Sequence, residues 1–138
     1  MNHIVIDLEM NKINKQYRDG KKLSNELIEI GAVKMNDKFE FIDQYQTYVM
    51  PIYGKMNSKI IQLTGITDDK LVGAPNFHDA MDDFAKWIGN VKTTFYSWSL
   101  SDIRQFQVES DFKEYEGKIV KRMEKSWVDF QLEYSKLL

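Results

Sequence analysis

Hydrophobic positions alternate from the start of the chain. Ile4, Ile6 and Leu8 share one face at period two within His3-Ile4-Val5-Ile6-Asp7-Leu8-Glu9, which predicts a central strand. Residues 10–25 lose that periodicity and carry Lys12, Lys15, Arg18, Lys21 and Lys22 against the single acid Asp19, so they read as a solvated loop. The apolar runs Leu27 to Met35 and Phe39 to Met50 flank the triplet Asn36-Asp37-Lys38; this predicts an antiparallel hairpin, which Pro51 closes. From Ser58 the period lengthens. Ile60, Ile61 and Leu63 ahead of Thr64-Gly65 predict a short helix with a glycine stop, and Thr67-Asp68-Asp69 the acidic start of another turn. Pro75-Asn76 opens a longer helix with Phe77, Met81, Phe84 and Ile88 on one side and Gly89 as its stop. Thr93 to Trp98 reads as a strand, Ser101 to Phe112 as a helix and Lys118 to Lys125 as a basic helix. Trp127-Val128-Asp129-Phe130 and an amphipathic segment to Leu138 follow. Meander strands followed by alternating helices and strands imply an α/β layer fold with a mixed sheet, in one domain over residues 1–138.

Composition narrows the function classes. With 43% hydrophobic and 29% charged residues in 138, the chain has the make-up of one globular domain and not of a disordered segment. It contains no cysteine, which excludes a disulfide scaffold, a thiol nucleophile and Cys-ligated metal, and is compatible with a cytoplasmic setting. No apolar run approaches the ~20 residues that span a bilayer, and the N-terminus lacks signal-peptide features. A net charge of −2 argues against bulk electrostatic binding of nucleic acid, while leaving room for a local basic surface or a metal-bridged phosphate.

Two features carry possible chemistry. Asp7 and Glu9 project on one face of an otherwise apolar strand, their Cα atoms ~6.6 Å apart by strand rise. Buried charges need partners, and paired carboxylates suit hard cations such as Mg2+ or Mn2+; alternatively the strand ends near Asp7 and both acids are solvated. Ser97-Trp98-Ser99-Leu100-Ser101-Asp102 places an acid where a strand gives way to a helix, the position at which α/β sheets expose ligand sites. On the other reading Ser101 or Asp102 simply caps the helix. His78 reads as a solvated helix residue and His3 as a strand-end residue. Lys118, Lys121, Arg122 and Lys125 form one helical stripe, read as solvated surface; the basic residues of 10–25 lie closer to the acids and could contact phosphates.

In sequence order, the segments I-V-I-D-L-E at 4 to 9, E-L-I-E-I-G-A-V-K at 26 to 34, Y-V-M-P at 48 to 51, L-T-G-I-T at 63 to 67, A-P-N-F at 74 to 77, W-S-L-S-D at 98 to 102 and S-W-V-D-F-Q at 126 to 131 resemble the DEDD superfamily of 3′-to-5′ exonucleases. That superfamily has a ribonuclease H-like fold. The likeness is to the histone-mRNA and small-RNA trimming branch, with the bacterial sporulation-inhibitor type beside it. It implies a mixed five-stranded sheet with helices on both faces and a two-metal phosphodiesterase site using Mg2+ or Mn2+. Asp7 would bridge both ions, Glu9 would hold the one carrying the attacking water, and Asp102 would complete the shell. Leu63 and Ile66 would receive the terminal nucleotide by apolar contact, the backbone at Met10 and Asn11 would meet the last sugar, and Trp98 would join the substrate-binding surface. The implied partner is the 3′ end of single-stranded nucleic acid, with RNA favoured over DNA by the branch.

The sequence departs from that pattern in three places. Met10-Asn11 replaces a small residue and threonine, and Ser99 replaces a common glycine. The family's third motif, a histidine base followed five residues later by an aspartate, is expected beyond Asp129 but does not occur, and neither His3 nor His78 matches it. The expectation is therefore a domain lacking its C-terminal helix, impaired in turnover and prone to self-association through the sheet surface left uncovered. The alternative is an inactive nucleic-acid-binding or protein-interaction module on the same fold.

Overall fold

The computed structural model describes all residues, Met1–Leu138. Strands β1 (Asn2–Arg18), β2 (Lys21–Met35) and β3 (Phe41–Tyr48) form an antiparallel meander. Helices α1 (Ser58–Thr64), α2 (Asp68–Leu71) and α3 (Phe77–Ile88) lead to β4 (Thr93–Ser97). Then come α4 (Ser101–Phe112), α5 (Ile119–Lys125), β5 (Trp127–Asp129) and α6 (Phe130–Ser135). The sheet order is β3-β2-β1-β4-β5, with β4 parallel to both β1 and β5. The expected α/β fold with a mixed five-stranded sheet is thus what the chain adopts.

Alternation sets the two faces of the sheet. Ile4, Ile6 and Leu8 are buried with Ile30, Ala32 and Phe95, and against them pack Met81 and Phe84 of α3, Phe106 of α4 and Met123 of α5. Burying such side chains stabilises the fold by roughly 1.5–3 kcal/mol each. The opposite face carries Val5, Asp7, Gly31 and Val33, paired across the strands, and lies open, with Val5 42% and Val33 38% exposed. Helix α3 starts and stops as its sequence predicts: the Asn76 side chain accepts from the Asp79 amide, and Gly89 takes a positive φ at the C-terminus.

The solvated loop expected over residues 10–25 is instead the far half of a long hairpin. Asp19 and Gly20, at φ 50° and 77°, make the two-residue turn that positive φ at both centres allows. Asn11, Ile13 and Leu23 point inward, Ile13 and Leu23 closing a small apolar cluster with Phe112, while the basic side chains between them face solvent. Alternation was present, but the lysines hid it. Some of those charges are also tied down: Lys21 pairs with Asp111 at 3.0 Å and Arg18 with Glu114 at 3.2 Å, which fastens the hairpin to the end of α4 and the loop after it.

His3 departs from its expectation as well. It is buried, its Nδ1 lies 2.7 Å from the Tyr96 hydroxyl and its ring stacks on Phe39. Arg122 is not merely solvated, because its guanidinium donates to the Gly89 and Val91 carbonyls and clasps the turn between α3 and β4. His78 is exposed on α3, as expected, with its ring edge-on to Tyr115.

Beneath the hairpin sits a buried charge network. Lys113 Nζ lies 2.7 Å from a carboxylate oxygen of both Glu26 and Glu109. Glu26 also accepts from the Ile52 and Tyr53 amides, and Glu109 from the Leu27 amide and Gln105 Nε2. Burial alone would lower the Lys113 ammonium, but the two carboxylates outweigh it and hold it above its ordinary value.

Candidate active site

Strand pairing determines where the acids lie. The ladder between β1 and β4 runs from Asn2–Thr93 to Val5–Tyr96 and no further, so Asp7 and Glu9 come just past its end, at the crevice that opens beyond parallel strands. On the other side β1 stays paired with β2: Asp7 faces Gly31 and Glu9 faces Glu29. A bulge follows, with Met10 opposite Leu27 and Ile28 extra. Both Leu27 and Ile28 are buried, and alternation resumes in a new register beyond them.

Helix α4 brings the third acid. Its N-cap position is Leu100, whose side chain makes no capping bond, so neither Ser101 nor Asp102 serves as the cap. Asp102 lies in the first turn and is 9% exposed. Its carboxyl is pushed up to about 6 by burial and then by Asp7 and Glu9, against the pull of the Ser101 hydroxyl and the Leu8 amide. Glu9 is also raised, by burial first and then by Asp7 and Glu29. The three acids therefore sense one another. Ser97 anchors the turn between them, donating to the Ser99 carbonyl and accepting from the Trp127 indole at 2.8 Å.

The remaining residues divide. Leu63 is 82% exposed at the end of α1, whereas Ile66 is buried with Ile28, Met56 and Leu71. The Asn11 side chain turns inward, accepting from the Asn57 amide at 2.8 Å and donating to the Lys55 carbonyl at 3.2 Å; it ties β1 to the start of α1, leaving only its backbone for a ligand. Met10 is half-buried. Trp98 is exposed, its ring 6.4 Å from Phe130 and 6.0 Å from Tyr134. Sequence reasoning passed over Glu29, which register places beside Glu9 and which accepts from Gln46 at 2.8 Å. The pairing of E-L-I-E-I-G against I-D-L-E was the available signal.

Asp7 borders a shallow hollow of about 500 Å³ on the open face with Val33, Gln44 and Gln46. No group of three or more histidine, cysteine or acidic side chains is assembled for metal binding. The donor set nevertheless fits a hard divalent cation: three carboxylates, two of them raised by burial and then by neighbouring carboxylates whose repulsion a cation would relieve. Neither histidine contacts these acids, since His3 is held by Tyr96 and Phe39 and His78 by Phe77 and Tyr115.

Comparison with known proteins gives the arrangement its relatives. A segment of the chain is 34% identical over 88 residues to the PolC-type DNA polymerase III of Staphylococcus aureus (strain bovine RF122 / ET3-1) and to that of Staphylococcus haemolyticus. The match takes in 64% of this chain and 6% of each polymerase. Among solved structures, a full-length 3′-exonuclease superposes with a TM-score of 0.66 at 22% identity, over 81% of this chain and 52% of that one. The cell-death related nuclease CRN-4 gives 0.69 at 17%, over 84% and 41%. Exonuclease I of E. coli, in complex with a dT13 oligonucleotide, gives 0.56 at 14%, over 75% and 21%. These likenesses establish the fold. No helix is long and apolar enough to cross a membrane. The family model described as exonuclease matches residues 4–130, and with nearly the whole chain inside that match the protein belongs to this exonuclease family of the DEDD superfamily.

Proposed function

We propose that the chain is a metal-dependent 3′-to-5′ exonuclease domain, spanning residues 1–138, that acts on the 3′ ends of single-stranded RNA or DNA. The observation that carries the reading is the approach of Asp102 to Asp7 and Glu9 at the end of the β1–β4 ladder, inside a matched exonuclease family. Asp7, Glu9 and Asp102 would hold Mg2+ or Mn2+, which when bound supplies activation of water and stabilisation of the leaving oxygen. The chain's own part is to present three carboxylates on rigid elements and to receive the terminal nucleotide against Leu63 and Trp98, with Ile66 backing Leu63 from within and the backbone at Met10 and Asn11 meeting its sugar. Two structural neighbours are described with a histone mRNA stem-loop and with dT13, which supports nucleic acid 3′ ends as the substrate class; RNA is favoured by the branch the motifs resemble. The polymerase relatives fit a cytoplasmic setting.

With no histidine beside the acids, turnover by these 138 residues alone is expected to be slow. The test is release of nucleotides from a 3′-labelled single strand with Mn2+, alongside Mn2+ titration of the wild type and Asp7→Ala. Metal-dependent release lost in Asp7→Ala supports the enzyme. Strand binding without release supports the inactive binding module, and metal binding that survives Asp7→Ala argues against a site there. The reading also includes self-association through the open face around Val5 and Val33. Sedimentation velocity should show weight-average mass rising with concentration, and a monomer at every concentration would remove that part.

A further inference from the structure

The cleft between the β1–β2 hairpin and the first half of α4 is absorbed by none of the roles above. It measures about 590 Å³ and is bordered by Met10, Lys22, Ser99, Ser101, Arg104 and Val108 among others, with no carboxylate in its wall. In a chain of net charge −2, a concavity walled by two cations and no acid is a local reversal of sign. Those cations are free: Lys22 and Arg104 make no ion pair, while the neighbouring Lys21 and Arg18 are spent on Asp111 and Glu114. The cleft also lies next to two of the acids along the chain, because Met10 follows Glu9 and Ser101 precedes Asp102. The start of α4 borders it too, with Ser99, Leu100 and Ser101 in its wall and the Ser101 amide donating to the Ser99 hydroxyl at 3.3 Å.

Resting on the exonuclease reading, we infer that this cleft carries the backbone of the nucleotides behind the terminal one, with Lys22 and Arg104 each contacting a phosphate. A strand whose 3′ end lies at Asp7, Glu9 and Asp102 must leave the site somewhere. An exit lined by acids would repel it, whereas this one draws it away from the carboxylates at its mouth. Arg104 offers a planar fork to phosphate oxygens and Lys22 a point charge on a flexible stem. Such contacts position a strand without reading its sequence. A smaller hollow of about 430 Å³ on the other side of the hairpin, with Lys12, Lys59 and Leu63, is the rival exit.

The experiment is fluorescence-anisotropy titration of a 5′-labelled eight-nucleotide single strand at several salt concentrations without divalent metal, using the full chain. Each phosphate contact on a single strand contributes about 0.7 to the slope of log K against log salt. The double variant Lys22→Ala/Arg104→Ala should therefore lose about 1.4 of slope, while Lys22→Arg/Arg104→Lys retains it, which separates charge from folding. A slope that falls instead in Lys12→Ala/Lys59→Ala, or in neither pair, overturns the cleft and leaves the exonuclease reading standing. A wild-type chain that binds no strand in this assay overturns the cleft, and Mn2+-dependent release from the 3′-labelled strand then decides the exonuclease reading separately.

Discussion

Replacing Lys113 with methionine is expected to cost about 3–5 kcal/mol of folding stability, the usual penalty for removing one partner of a buried ion pair. Without the ammonium, two carboxylates remain fully buried, Glu26 and Glu109, with only amide and side-chain donors to stabilise them. The amide donors at Leu27, Ile52 and Tyr53 then hold two mutually repelling carboxylates with no cation between them. The charge deficit and not the lost volume should dominate, since methionine keeps most of the aliphatic stem. Urea unfolding of the variant provides the measurement. Adding Glu26→Gln and Glu109→Gln to Lys113→Met should recover a large part of the loss, and a triple variant as unstable as the single one would place the cost in packing.

At Asp102 the expected effect has opposite signs for stability and activity. Its carboxyl titrates near 6 when folded against about 3.9 in an unfolded chain. Between those values the folded protein holds the proton that the unfolded chain releases, so stability falls as pH rises through this window and stays low above it. Asp102→Asn removes the group and its charge. In metal-free buffer at pH 7.5 the variant should be more stable than the wild type by about 1–2 kcal/mol, below the full value of the shift because water still screens the carboxyl and a favourable acid in the first turn of α4 is lost. The gain should shrink as pH falls from 6 to 4. If Asp102 belongs to the metal shell, the same variant loses at least about a hundredfold in Mn2+-dependent nucleotide release, since a metal's charge stabilisation amounts to several kcal/mol. Thermal melts from pH 4 to 8 with and without Mn2+ check both halves. A variant no more stable than the wild type at pH 7.5 would show that neither burial nor the neighbouring acids burden the Asp102 carboxylate.

Much of this architecture is legible in the sequence. The period-two start of the chain placed Ile4, Ile6 and Leu8 inward and set Asp7 and Glu9 on the other face, and the Phe77–Ile88 helix was marked by Asn76 and Gly89 at its ends. Local pattern failed where long-range partners override composition. Residues 10–25 look like a loop because Lys12, Lys15, Arg18, Lys21 and Lys22 crowd the alternation of Asn11, Ile13 and Leu23, although Asp19-Gly20 is a strong hairpin signal. Glu109 and Lys113 show an i, i+4 spacing in the sequence, but Glu26 joins them only through the fold. His3 was misread because its partners Phe39 and Tyr96 come from a turn and a strand distant in sequence. Of the expected site, Asp102 lies near enough to Asp7 and Glu9 to feel their charge. Ile66 does not reach the surface, and the side chain of Asn11 is committed to α1, both consequences of core packing that no short motif encodes.

Helix α4 is held at both ends by electrostatics of different kinds. Its first turn carries Asp102 into the crevice beside β1, and from its last turns Glu109 accepts from the β2 backbone and pairs with Lys113 just beyond. Lys113 lies eleven positions beyond Asp102, ~16 Å along a helix axis. The helix therefore behaves as a strut clamped at its far end, and the stiffness of that clamp limits how far Asp102 can swing. Loosening it at Lys113 would free Asp102 to move without touching that residue.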